Sequence, residues 1–132
     1  MENQIKQLVT EFLTAVKAFD LETVSNMLHP DVKWLQPGNN EISGLKESKD
    51  QVFTMVGKML DLSGNTLKLT EFKHISENTN GVACQLQWTA QKASGDVLNV
   101  SNIDVYTLKN GKITHVDIYT TDQAKEDAFW KS

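Results

Sequence analysis

The chain has 132 residues, with 13 basic and 17 acidic side chains and a net charge of −4. Hydrophobic residues make up 39% and charged residues 23%, the mix of one globular domain, which excludes disordered, collagen-like and low-complexity chains. The acidic balance speaks against a general nucleic-acid binder, no run approaches the roughly 18 apolar residues of a membrane span, and the single Cys84 has no partner for an internal disulfide.

The start, Met1-Glu2-Asn3-Gln4, lacks the cationic and apolar regions of a signal peptide. A cytoplasmic protein is expected, with one domain over residues 1–132. Ile5, Leu8, Val9, Phe12, Leu13, Val16 and Phe19 recur at helical spacing. Asp20 reads as the N-cap of a second helix, whose apolar face continues through Val24, Met27 and Leu28. His29-Pro30 ends it, since a residue before proline disfavours the α region. Val32 to Gln36 is a short extended run, and Pro37-Gly38-Asn39-Asn40 a turn. Ser48 and Gln51 fit a capping box for a third helix with Val52, Phe53, Val56, Met59 and Leu60 on one face. Four strands follow, over 67–74, 82–92, 98–108 and 112–121, and Asp122 caps a short last helix ending at Phe129-Trp130. Helices first and a curved antiparallel sheet afterwards make an α+β domain.

Several short elements in this order carry a resemblance. They are Phe19-Asp20, then His29-Pro30-Asp31-Val32-Lys33-Trp34, Pro37-Gly38-Asn39, Ser43-Gly44, Asn110-Gly111-Lys112-Ile113, and the ending Asp122 with Asp127-Ala128-Phe129-Trp130. The set resembles the nuclear transport factor 2-like superfamily, and within it the SnoaL-like group of polyketide-cyclase and ketosteroid-isomerase relatives. The resemblance implies a cone-shaped fold, its N-terminal helices closing a curved sheet around a pocket.

Strand parity assigns the faces. Asn102, Asp104 and Tyr106 share one face of their strand. A two-residue Asn110-Gly111 turn would set Asp104 opposite Asp117; a three-residue Lys109-Asn110-Gly111 loop would set it opposite Val116. The first puts two carboxylates on one face, about 5 Å apart. The second avoids that and agrees with the position of an aspartate in the ketosteroid isomerases. On that register Asn102, Asp104, Val116, Ile118 and Thr120 face the pocket, and His115, Asp117 and Tyr119 face away. Aligning Gly95 with the family's turn glycine points Gln85, Gln87, Thr89 and Gln91 inward. Leu86, Trp88, Ile103, Val105 and Tyr119 then form an outer apolar patch, through which a homodimer is expected.

Asp104 is the catalytic candidate: a carboxyl in an apolar cavity has its pKa raised by desolvation and can donate to a developing oxyanion or act as a general acid. Trp34, Gln36, Gln87, Asn102, Tyr106, Val116 and Ile118 are the candidate ligand-binding residues around it. Trp34 can instead pack on the third helix as core. By the resemblance, Gln36 stands where the isomerases carry a general-base aspartate and Phe12 where they carry an oxyanion-hole tyrosine, so ketosteroid isomerisation is not expected. No metal site or cofactor is expected, because His29, His74 and His115 have no ligand spacing and no glycine-rich phosphate loop is present. The expectation is a small-molecule-binding protein, with cofactor-free acid–base catalysis of isomerase, cyclase or lyase type on a compact, partly apolar carbonyl or hydroxyl compound. The alternative is a non-catalytic ligand-binding or protein-interaction module.

Overall fold

Ile5, Leu8, Val9, Phe12, Leu13 and Val16 wind onto the inner face of helix α1 (Gln4–Lys17) in the computed structural model, which describes residues 4–131. The polar start Met1–Asn3 lies outside the described residues. Asp20 caps α2 (Leu21–Met27), accepting from the Thr23 N–H at 3.2 Å and from the Thr23 hydroxyl at 2.7 Å. Strand β1 (Leu28–Gln36) begins four residues before the expected run. Leu28 pairs with Ile113 and is fully buried, which favours strand over another turn of helix. Pro30 sits in the irregular stretch between Leu28 and Lys33, where its missing N–H breaks no regular ladder.

A short β2 (Gly44–Lys46) pairs with the end of β1 and was not among the expected elements. Helix α3 (Lys49–Leu62) starts at Ser48, whose hydroxyl accepts from the Gln51 N–H; the Gln51 side chain accepts from the Glu47 N–H, one residue before the usual capping box. Strands β3 (Lys68–Glu77), β4 (Gly81–Gln91), β5 (Val97–Lys109) and β6 (Lys112–Thr120) and helix α4 (Gln123–Phe129) complete the order. The sheet runs β2-β1-β6-β5-β4-β3, antiparallel except where β1 lies parallel to β6. The result is an α+β fold with a curved, open sheet. No described helix is long and apolar enough to cross a membrane.

The β5–β6 hairpin resolves the two expected registers in a third way. Asn110 and Gly111, at φ +54 and +79, make a two-residue turn between paired Lys109 and Lys112. Leu108 pairs with Ile113 but Thr107 with His115, so Thr114 is an extra residue. This bulge sets Asp104 opposite Ile118, not Val116. The inward set is as expected, because an even shift of register preserves the face.

On β4 the expected faces are reversed. Cys84 pairs with Asp104 and Leu86 with Asn102, so Cys84, Leu86 and Trp88 share the inner face. Gln85 and Gln87 lie outside, beside Glu71, Lys73 and Ser101. Placing Gly95 by resemblance misplaces the register by one residue, which swaps every side chain. Burying Leu86 contributes about 1.5–3 kcal/mol, whereas an inward glutamine would need internal partners. Gln87 therefore does not reach the cavity; its side chain accepts from the Ser101 hydroxyl at 2.6 Å on the outer face. Leu86 and Trp88 likewise leave the expected outer patch, which keeps Ile103, Val105 and Tyr119.

Helix α4 is fastened to the loop after β1. Asp127 Oδ1 accepts from the Asn39 N–H (2.9 Å), the Asn40 amide (2.8 Å) and the Gln123 amide (3.0 Å). Gly38 lies against this latch at φ +94, and a Cβ there would come within 2.1 Å of Gln123 Nε2 and 2.4 Å of Asp127 Oδ1. Gly38→Ala is expected to cost more than about 1 kcal/mol of stability, read as a lower urea midpoint at unchanged slope.

Candidate functional site

Between the inner face of the sheet and the helices lies a cavity of about 110 Å³. On the same measure one water needs roughly 10–15 Å³, so the space suits a compact molecule. Its walls are mostly apolar: Leu13 and Val16 of α1, Val52, Phe53 and Met55 of α3, and Leu86, Trp88 and Ile118 of the sheet. Phe19 and Leu21 also line it, and they are 44% and 42% exposed. Phe19 takes φ +58, a left-handed backbone that costs a non-glycine residue about 1–2 kcal/mol.

A few polar groups face this apolar space. Asp104 is buried, and its Oδ2 accepts from the Tyr106 hydroxyl at 2.7 Å. Its Oδ1 is buried with no hydrogen-bond partner. Burial pushes the Asp104 carboxyl up to about 7; the Tyr106 hydrogen bond pulls it back and the charge of Glu126 raises it further. Tyr106, whose own pKa is raised by burial and by Asp104, packs edge-on against Phe12 with ring centroids 5.6 Å apart. Burial also pushes the neighbouring Cys84 thiol to about 11, with a further contribution from Asp104, so it stays protonated.

Trp34 and Gln36 line the cavity from β1, joined by a 2.9 Å bond from the Trp34 indole N–H to Gln36 Oε1. Asn102 is buried beside Asp104. Hydrogen bonding orients its amide nitrogen toward Glu126 Oε2 (3.2 Å), Thr120 Oγ1 (3.2 Å) and the Ser101 carbonyl (3.1 Å). Of the residues chosen from sequence, Trp34, Gln36, Asn102, Asp104, Tyr106 and Ile118 all line this cavity. Val116 points the same way but is packed in the core outside the lining. Gln87 lies on the opposite face of the sheet.

Glu126 and Trp130 were missed. Both line the cavity from the end of the chain, and both are buried. Burial raises the Glu126 pKa, the Thr120 hydroxyl and Trp130 indole oppose it, and the charges of Asp127 and Asp122 add to it. The spacing of Glu126, Phe129 and Trp130 was a usable signal. It places a carboxyl on the apolar face of a short helix.

The SnoaL-like domain family matches residues 9–116 of this chain. The chain belongs to that family. Among relatives of this SnoaL-like chain is an uncharacterised protein of Mycobacterium tuberculosis, 24% identical over 93% of both chains. A protein of unknown function with a cystatin-like fold from Xanthomonas campestris is 30% identical, with a TM-score of 0.90 over 97% of this chain and 98% of the other. A nuclear transport factor 2-like protein of unknown function from Burkholderia pseudomallei shares the fold at 20% identity, with a TM-score of 0.82 over the full length of both.

The raised carboxyl makes stability depend on pH. An ordinary aspartate ionises near pH 3.9, whereas Asp104 in the fold holds its proton to about 7. Across that window the folded chain binds a proton the unfolded chain has released. Stability contributed by this group is therefore full below the window and lost as pH rises through it, at up to about 1.4 kcal/mol per pH unit. Asp104→Asn is expected to flatten the urea-unfolding profile between pH 4 and 8 by about that slope; an unchanged profile would contradict the buried protonated state.

Proposed function

We propose that this SnoaL-like protein binds a compact, largely apolar carbonyl or hydroxyl compound and catalyses cofactor-free proton transfer on it, with Asp104 as the acid. One observation carries the reading: Asp104 lines an apolar cavity, with one oxygen tied to Tyr106 and the other buried and unpartnered. A protonated carboxyl there can donate to a carbonyl oxygen and hold the charge that develops on it. Gln36 and Asn102 offer further polar contacts, and Trp34 and Trp88 offer aromatic surface for a ring. Gln36 cannot take up a proton, so the ketosteroid isomerase arrangement is not reproduced here.

The test is α-proton exchange of small cyclic ketones in D2O. The wild-type protein is expected to accelerate exchange, and Asp104→Asn to lower the rate by about 100-fold or more with ketone affinity changed less than tenfold. Ketone binding without exchange in the wild type would favour the second reading, a non-catalytic binding module.

We also propose that a second copy covers the outer sheet face. Ile103 pairs with Tyr119 there, Val105 lies beside them, and Tyr119 is 64% exposed. The wild type is expected to sediment as a dimer and Tyr119→Glu as a monomer. A monomeric wild type would overturn this.

A further inference from the structure

Two buried carboxyls face one cavity, and only one of them sits on the sheet. Glu126 reaches it from α4, a seven-residue helix held by the Asp127 latch to the loop at 39–40. Asn102 stands between the two groups. It is two residues from Asp104 on the same strand face, about 6.6 Å along the strand, and its amide lies 3.2 Å from Glu126 Oε2.

The hydrogen bonds differ in kind. Asp104 is held through one oxygen by a single hydroxyl, and its Oδ1 has no partner and can carry a proton. Glu126 has two groups beside it that can donate: the Asn102 amide, 3.2 Å from Oε2, and the Thr120 hydroxyl. Donors favour the ionised form of a carboxyl. Two carboxyls lining one apolar cavity, with the charge of Glu126 felt at Asp104, resist carrying two negative charges, so the pair favours a single proton. The donor pattern places that proton on Asp104 and the charge on Glu126.

We propose that Glu126 is the second proton-transfer group of this cavity, acting as the base opposite Asp104 on a ligand with an acidic C–H next to a carbonyl. The proposal rests on the acid–base reading given above and adds a residue to it. Glu126 takes the proton from carbon, and the C–H electron pair moves into a new C=C bond. The carbonyl π pair moves onto oxygen, which receives the Asp104 proton. In the return step the enol O–H proton goes back to Asp104, and Glu126 delivers its proton to the same carbon or to a conjugated one. Where Glu126 first trades the abstracted proton for one from solvent, the first outcome is exchange; the second is isomerisation, and no electrons are gained or lost. Glu126 thus supplies the base that Gln36 cannot.

The test uses the full chain with cyclopentanone, 2-cyclohexenone and acetophenone as probes, following deuterium uptake by NMR across pH 5–9. Glu126→Gln is expected to lower the saturating exchange rate at least about 100-fold while the half-saturating ketone concentration changes less than threefold. A side chain that only shaped the cavity would instead raise the half-saturation value. Should Glu126→Gln fail to fold, Glu126→Asp keeps the charge but withdraws it by one methylene, and at least a tenfold loss is expected. Full exchange in the Glu126 variants with loss in Asp104→Asn would overturn this proposal and leave Asp104 in its role. No exchange by the wild type with any of the three ketones would overturn both.

Discussion

The alternation of side chains along β5, pinned on both edges, governs the interior of this protein. Leu98, Val100, Asn102, Asp104, Tyr106 and Leu108 are all buried on one face. Cross-strand pairing with β4 and β6 holds that face inward. A slip of one residue would turn Ile103 and Val105 inward and put Asp104 on the surface. Two local features prevent it: the Asn110-Gly111 turn with its Thr114 bulge on one side, and the five-residue connection between Gln91 and Val97 on the other. The chemistry of the cavity follows from pairing geometry settled at the ends of two hairpins.

Carboxyls in such a place oppose folding. Asp104 and Glu126 both resist ionisation because the cavity cannot solvate their charge. The surrounding core offsets that resistance. Phe12, Leu13, Leu28, Ile113 and Val116 are essentially free of solvent contact, and each buried side chain of this kind contributes about 1.5–3 kcal/mol. Polar groups are also economically partnered, since Tyr106 serves Asp104 and Asn102 serves Glu126. Groups that are neither fully solvated nor fully partnered are what proton chemistry needs.

This SnoaL-like chain fills its cavity from both ends of its sequence. Gln36 and Phe12 occupy cavity positions without a group that can ionise near neutral pH. The C-terminal helix supplies Glu126 and the Trp130 indole from the other side. That helix has seven residues and depends on its contacts for its place. Asp127, Gly38 and the backbone of Asn39 are thus structural residues with a direct bearing on the site.

Much of the fold was legible because it rests on local rules. Helical spacing of apolar residues, the caps at Asp20, Ser48 and Asp122, and the Asn110-Gly111 turn are each encoded within a few neighbouring positions. The inward placement of Asp104, Asn102 and Tyr106 followed from period-two alternation once one register was chosen. The faces of β4 did not follow, because its parity depends on where a loop ends, and one residue there separates Gln87 in the cavity from Leu86 in the cavity. Nor did the place of Glu126, which lines the cavity of Asp104 from 22 residues further along the chain. By itself, the sequence determined the elements, their order and a carboxyl on an inward strand face. Tertiary structure alone decided which glutamines turn outward and that a second carboxyl lines the same cavity, since both depend on pairing and packing between segments that share no local signal.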